Sequence, residues 1–181
     1  MSFQSFDDPA GGGDHAARLT ALRGLMDNQG LDAVIVPRAD AHQGEYVADA
    51  DARLAWLTGF TGSAGFAIVT ADRAGVFIDG RYRVQVRSQI DLSHFTPVHW
   101  PETRPSAWLV EALPQGGRVG FDPWLHTRKE IAGMEAALQG SGVALIALEQ
   151  NPVDTIWPDR PAPPVGPARI HPDDLAGESA A

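Results

Sequence analysis

Apolar residues recur along this chain in two rhythms. Leu19, Leu22, Leu25 and Met26 stand three and four positions apart, which predicts a helix with one buried face. Asp14 sits where an N-cap accepts from first-turn amides, and Gly30 where a left-handed residue closes the last turn. Pro105 suits the first turn of another helix, with Trp108, Leu109 and Leu113 as its stripe, stopped by Pro114-Gln115-Gly116-Gly117. Thr127 and Glu130 form a capping box ahead of Ile131, Met134 and Leu138, and Gly140 closes that helix. The second rhythm is short and continuous. Ala33–Val36 (stopped by Pro37), Phe66–Val69, Val76–Ile78, Phe95–His99, Val119–Phe121 and Val143–Leu148 read as six strands. Asp40–Leu57 predicts two short helices with a turn between them. Gly59–Gly65 is a glycine-rich loop, Ala71–Gly75 a hairpin turn, and Arg81–Gln89 a further helix. Helix and strand alternate throughout, so the fold class is α/β, a largely parallel or mixed sheet with helices on its faces.

The rhythm fails at both ends. Residues 1–13 carry a triple glycine and a weak apolar pattern, and read as a mobile arm. Residues 14–150 hold the α/β domain. Seven of the fourteen prolines fall between Pro152 and Pro172, so residues 151–181 read as an extended linker. It leads into Asp173–Ala181, which starts like a helix and reads as the opening of a truncated second domain.

Composition narrows the function. The chain has 181 residues, enough for one domain with a sizeable core. Fourteen basic against 23 acidic residues give a net charge of −9, which argues against nucleic acid and against an anionic membrane surface as partners. Cysteine is absent, which excludes disulfides, thiolate zinc sites and a cysteine nucleophile. No run reaches the ~20 apolar residues of a membrane span, and a cytoplasmic location is the expectation. Lys129 is the lone lysine, so any phosphate-loop or Schiff-base lysine would have to be this one.

Three segments could carry chemistry. In Gly59-Phe60-Thr61-Gly62-Ser63-Ala64-Gly65, Thr61 occupies the position where a nucleophile elbow needs glycine, and no helix follows to bind phosphate. The run is read as a tight turn that needs small residues for close backbone approach. Asp40, His42, Glu45, Asp49 and Asp51 gather the oxygens and imidazole that a hard metal ion takes, yet their spacing does not force convergence. Solvated faces and caps are the favoured reading; a stand-alone metal-dependent hydrolase is the rival. In Asp79-Gly80-Arg81-Tyr82, Asp79 is placed to cap the next turn and to pair with Arg81. His94, His99, His126 and His171 lack zinc spacing, and Trp56, Trp100, Trp108 and Trp124 read as core or interface anchors. Residue patterns alone end at an α/β domain without a self-sufficient catalytic set.

The motifs together do resemble a known family. Asp40-Ala41-His42-Gln43-Gly44-Glu45-Tyr46, then Leu57-Thr58-Gly59-Phe60-Thr61-Gly62-Ser63-Ala64-Gly65, then Asp79-Gly80-Arg81-Tyr82 follow the order found in the N-terminal domain of Xaa-Pro aminopeptidases, members of the creatinase/prolidase family of metallopeptidases. Val119–Pro123, Asn151–Trp157 and the tail from His171 resemble later landmarks, so the likeness covers nearly everything after Asp14. Gly44 departs from it, since serine is usual there. The resemblance implies a six-stranded mixed sheet flanked by helices, ribonuclease-H-like. It implies a parent enzyme that removes the N-terminal residue preceding proline. Two metal ions, typically manganese, would be held by two Asp, one His and two Glu of a C-terminal domain beyond residue 181. This chain would then bind no metal or cofactor and be inert alone. Its partners would be the catalytic domain and, through the parent, a peptide with proline in second position. His42, Glu45, Tyr46, Ser63, Arg81 and Tyr82 are the candidates to face that domain, shaping substrate entry and subunit contacts. A non-catalytic module that forms a homodimer is the other rival.

Overall fold

A computed structural model describes residues 13–178. The arm expected over residues 1–13 lies, apart from Gly13, outside the described residues, as does the end of the tail from 179 on. Six strands form one sheet: β1 (Ala33–Pro37), β2 (Phe66–Thr70), β3 (Ala74–Ile78), β4 (Thr96–His99), β5 (Gly117–Phe121) and β6 (Val143–Ala147). Seven helices lie among the described residues: α1 (His15–Gln29), α2 (Arg53–Thr58), α3 (Gln85–Gln89), α4 (Pro105–Ala112), α5 (Arg128–Leu138), α6 (Pro152–Ile156) and α7 (Asp173–Ala176). None is long and apolar enough to cross a membrane.

The strand order is β4-β3-β2-β1-β5-β6. β1 pairs antiparallel with β2, Val34 opposite Val69, and parallel with β5, Ala33 opposite Val119. β2 and β3 are antiparallel; β3–β4 and β5–β6 are parallel. Five strands therefore run one way, and β2 runs against them. This is the expected six-stranded mixed sheet.

Alternation along each strand supplies two cores. Val34, Val36, Val69, Val76 and Ile78 pack with Leu19, Leu22, Leu54, Leu57 and Val153. Ala33, Ile35, Ile68 and Phe77 point the other way and pack with Leu109 and Leu138. Helices α1, α2, α3 and α6 thus cover one face, and α4 and α5 the other. The predicted ends of α1 hold: Asp14 accepts from the amide of Ala17, and Gly30 is left-handed. The capping box of Thr127 and Glu130 is present in both directions.

Three predicted elements take other shapes. Asp40–Ala48 is not helical. The Asp40 carboxylate accepts from the amides of His42 and Gly44 at 2.8 and 3.0 Å, and this local bonding competes with a helix. Only a 3₁₀ turn, Asp49–Asp51, and α2 follow. The helix expected over Arg81–Gln89 is split into a 3₁₀ turn, Gly80–Tyr82, and α3, because Asp79 caps the first piece and Tyr82 packs edge-on against Phe60. The turn between β2 and β3 is tighter than expected, since Thr70 bonds to Arg73 through both its amide and its hydroxyl.

The largest difference lies after Gln150. The proline-rich stretch does not begin as an extended linker. Asn151 caps α6, and Pro152 occupies its first turn. Val153 and Trp157 are buried, and Trp157 stacks on Trp56 with ring centroids 5.0 Å apart. Asp154 grips Arg53 with two bonds of 2.6 and 2.9 Å, and Arg160 reaches Asp154 and the carbonyl of Ala50. Residues after Arg160 run exposed and without regular structure as far as α7.

Two outcomes follow for stability. A chain ending at Arg160 unfolds in urea like the 181-residue chain, whereas one ending at Gln150 loses at least about 3 kcal/mol, because burial of Val153 and Trp157 is lost. Asp154→Ala leaves Arg53, 5% exposed, short of its main partner. Urea unfolding should show a loss of about 3 kcal/mol, and a loss below about 1 kcal/mol would mean that the pair carries no more than an exposed one.

Candidate functional site at the sheet edge

Because β1, β3, β4 and β5 run in the same direction, the segments leaving them emerge on one edge of the sheet, and the segment entering β2 arrives there. Asp40–Tyr46, Gly59–Gly65 and Asp79–Tyr82 are thereby gathered on that edge. Open α/β sheets bind ligands outside the carboxyl ends of their strands for this reason.

The glycine run forms the floor. Gly59 ends α2 in a left-handed conformation, φ 84°, and a Cβ there would stand 2.7 Å from the carbonyl oxygen of Gln89. A Cβ on Gly65 would stand 2.8 Å from the carbonyl oxygen of Phe77. The expected reason for small residues, close backbone approach, is therefore the observed one. The loop is held from α3 by Gln89, whose buried amide accepts from the Thr61 N–H at 3.0 Å and donates to the Thr61 hydroxyl at 2.7 Å.

Ser63, Arg81 and Tyr82 meet on this floor. The hydroxyls of Ser63 and Tyr82 are 2.5 Å apart. Arg81 donates to both oxygens of Asp79, at 2.7 to 3.2 Å, and its guanidinium lies 5.0 Å from the Tyr82 ring centre. The side-chain bond from Arg81, then the Arg81 amide, holds the Asp79 carboxyl below the usual carboxylate range. In turn Asp79 raises the Arg81 pKa, and the charge of Glu45 adds to it. Glu45 is thus an electrostatic neighbour of the cluster, and its carbonyl accepts from Arg38 at 3.0 Å. His42 is placed apart, in the turn that Asp40 organises. Tyr46 is 90% exposed.

This arrangement presents a fixed polar surface. Ser63 meets a phenol instead of an imidazole or carboxylate, so nothing here activates it as a nucleophile. The metal donors considered for Asp40, His42, Glu45, Asp49 and Asp51 do not converge. Asp40 serves two backbone amides, with Gly44 the largest cause of its lowered pKa, and Asp51 is paired with Arg53 and Arg160. Among the described residues, no three His, Asp or Glu side chains are placed to hold a metal ion.

Four residues of this edge were not singled out by the sequence patterns as site residues. Gln89 looked like a plain helix position. Arg38, Arg104 and His126 line an open groove of about 710 Å³ between this edge and α4 and α5. Their signal was weak: each follows the end of a strand by a few residues, as edge residues must. His126 Nε2 is buried without a hydrogen-bond partner among the described residues, and the ring packs edge-on to Phe121. Burial lowers its pKa, against the opposing charges of Glu130 and Asp122.

Comparison with known proteins agrees with these motifs. Residues 18–155 match the family model for the Creatinase/Prolidase N-terminal domain. The chain is 44% identical over 150 residues to Xaa-Pro aminopeptidase 2 of Homo sapiens, which covers 82% of this chain and 22% of that protein. The X-prolyl aminopeptidase of Caenorhabditis elegans, described as a cytosolic enzyme with a di-nuclear active site, superposes with a TM-score of 0.76 at 31% identity, over 83% of this chain and 26% of that one. The N-terminal domain of the cytoplasmic peptidase PepQ from Mycobacterium tuberculosis superposes with a TM-score of 0.60 at 25% identity, over 77% of this chain and 98% of that one. The chain thus spans about a quarter of the worm enzyme and less of the human one.

Half-buried His126 sets a pH dependence. Its folded pKa lies below the ordinary imidazole value, so the unfolded chain binds the extra proton first. Stability contributed by the neutral ring is present above about pH 6.5 and is lost as pH falls below that value. Urea midpoints between pH 7.5 and 5 should show this slope, and His126→Gln should reduce it; an unchanged slope would remove His126 as the cause.

Proposed function

Since the chain belongs to the creatinase/prolidase N-terminal domain family, we propose that it is the non-catalytic N-terminal domain of an Xaa-Pro aminopeptidase. That protein removes the N-terminal residue preceding proline, in the cytoplasm. Two metal ions, manganese in this proposal, supply an activated water and polarise the scissile carbonyl from a domain outside this chain. The residues present here do not fit that metal site, so no chemical step is assigned to them. The stretch after Arg160 is the connection to the rest of the protein.

The domain's part is to present the sheet edge to the catalytic portion. Ser63, Arg81 and Tyr82, with Glu45 beside them and His42 and Tyr46 further out, shape the entrance for the peptide and contribute to contacts between subunits. The observation that carries this reading is the concentration of the three family motifs on one edge, where Ser63 bonds to Tyr82 and Arg81 to Asp79. An arginine held by a carboxylate in a fixed plane can still offer its free N–H groups to a substrate or a facing domain.

Turnover of a short Xaa-Pro peptide with Mn²⁺ tests the reading. The 181-residue chain should be inactive and the longer protein that contains it active. Cleavage by the short chain would overturn the proposal. In the longer protein, Arg81→Ala should lower kcat/KM roughly tenfold, the loss of one charge-assisted contact. Unchanged turnover with unchanged assembly would remove Arg81 from the entrance.

A further inference from the structure

The groove beside the motif cluster contains two guanidinium groups, of Arg38 and Arg104, that have no carboxylate partner among the described residues. Phe66, Leu125 and Met134 give it an apolar lining, and Trp100 and Pro101 add to it. Trp100 is 43% exposed and Trp124, on the neighbouring turn, 75%. Arg38 and Arg104 line the same space. Arg38 donates one bond, to the carbonyl of Glu45, and has no carboxylate partner among the described residues. The Arg104 guanidinium is exposed and has neither hydrogen bond nor ion pair among the described residues. It is also the N-cap of α4, yet gives no side-chain cap, so the first-turn amides keep their positive end unanswered.

The acids that line the groove are mostly committed. Asp79 is held by Arg81. Glu130 accepts from the amide of Thr127 in the capping box. Glu45 is the remaining carboxylate, and its charge is felt by Arg81. Arg38 and Arg104 thus stand outside any ion pair among the described residues, in a groove that also holds three carboxylates, one of them paired with Arg81.

We propose that this groove binds the carboxylate end of a short peptide, with Arg38 and Arg104 on the carboxylate and the Trp100–Met134 side holding an apolar side chain. A guanidinium fork matches a carboxylate in shape and charge. The volume of about 710 Å³ lies within the range of small-ligand sites. A bare inorganic anion would leave the apolar walls unused, and the acidic surface of the rest of the domain opposes nucleic acid. The choice of a peptide rests on the aminopeptidase reading; the presence of a carboxylate site does not.

The test is a titration of the 181-residue chain with N-acetyl-alanyl-leucine, followed by NMR shifts, against the same compound as its C-terminal amide. The free acid should bind at least fivefold more tightly than the amide. Arg104→Ala and Arg38→Gln should each abolish most of that preference, with circular dichroism unchanged, whereas Arg73→Ala, away from the groove, should leave it intact. Equal binding of acid and amide, or a preference that survives both groove variants, overturns the proposal. So does binding of inorganic phosphate as tight as that of the peptide, or of N-acetyl-alanyl-glycine as tight as the leucine compound, since the apolar wall would then count for nothing. Each of these failures leaves the aminopeptidase reading standing, because that reading is judged by turnover in the longer protein.

Discussion

Ala33, Val34, Ile35 and Val36 are each at most 4% exposed, so neither face of the central strand reaches water. A strand buried on both faces needs helices on both sides of its sheet. That requirement places α1, α2, α3 and α6 on one face and α4 and α5 on the other. It also leaves the edges of the sheet as the places where polar loops can gather. Parallel pairing of β1 with β5 and of β3 with β4 then puts their outgoing loops on one edge. The position of the site follows from the burial of β1 and the direction of its neighbours.

A second constraint closes the domain. The charged group Arg53–Asp154–Arg160–Asp51 joins the turn before α2 to α6, about a hundred residues later. Burial alone would lower the pKa of Arg53, but the bonds it donates to Asp154 and Asp51, with their charges, outweigh this and raise it. The group brings Val153 and Trp157 into the core beside α1 and Trp56. Proline content pointed to an extended linker from Pro152, and two local signals opposed it. Asn151 is a good N-cap, and Pro152 is well suited to a first helical turn. Composition over twenty residues outweighed the signal of two. Proline stiffens a chain wherever it sits, but it breaks a helix only in the interior.

The sheet edge was partly legible. The glycine run, the Asp79–Arg81 pair and the need for small residues could be read from residue types, because each depends on neighbours within a few positions. The bond between Ser63 and Tyr82 and the clamp of Gln89 on Thr61 could not be read this way, since the partners are 19 and 28 residues apart. Asp40 misled in the other direction. It stood in a stretch read as helical, but its carboxylate acts as a cap and accepts from the amides of His42 and Gly44.

Sequence by itself determined the class of fold, the six strands, the caps of α1 and α5, and the family whose motifs the chain carries. These depend on periodicity and on bonds within one or two turns, which the local order of residues specifies. Tertiary structure alone decided which loops share an edge, that Val153 and Trp157 belong to the core, and that Arg38 and Arg104 share a groove. Strand order and long-range pairing settle those matters. They arise from burying every apolar face at once, a condition that no single segment of the chain contains.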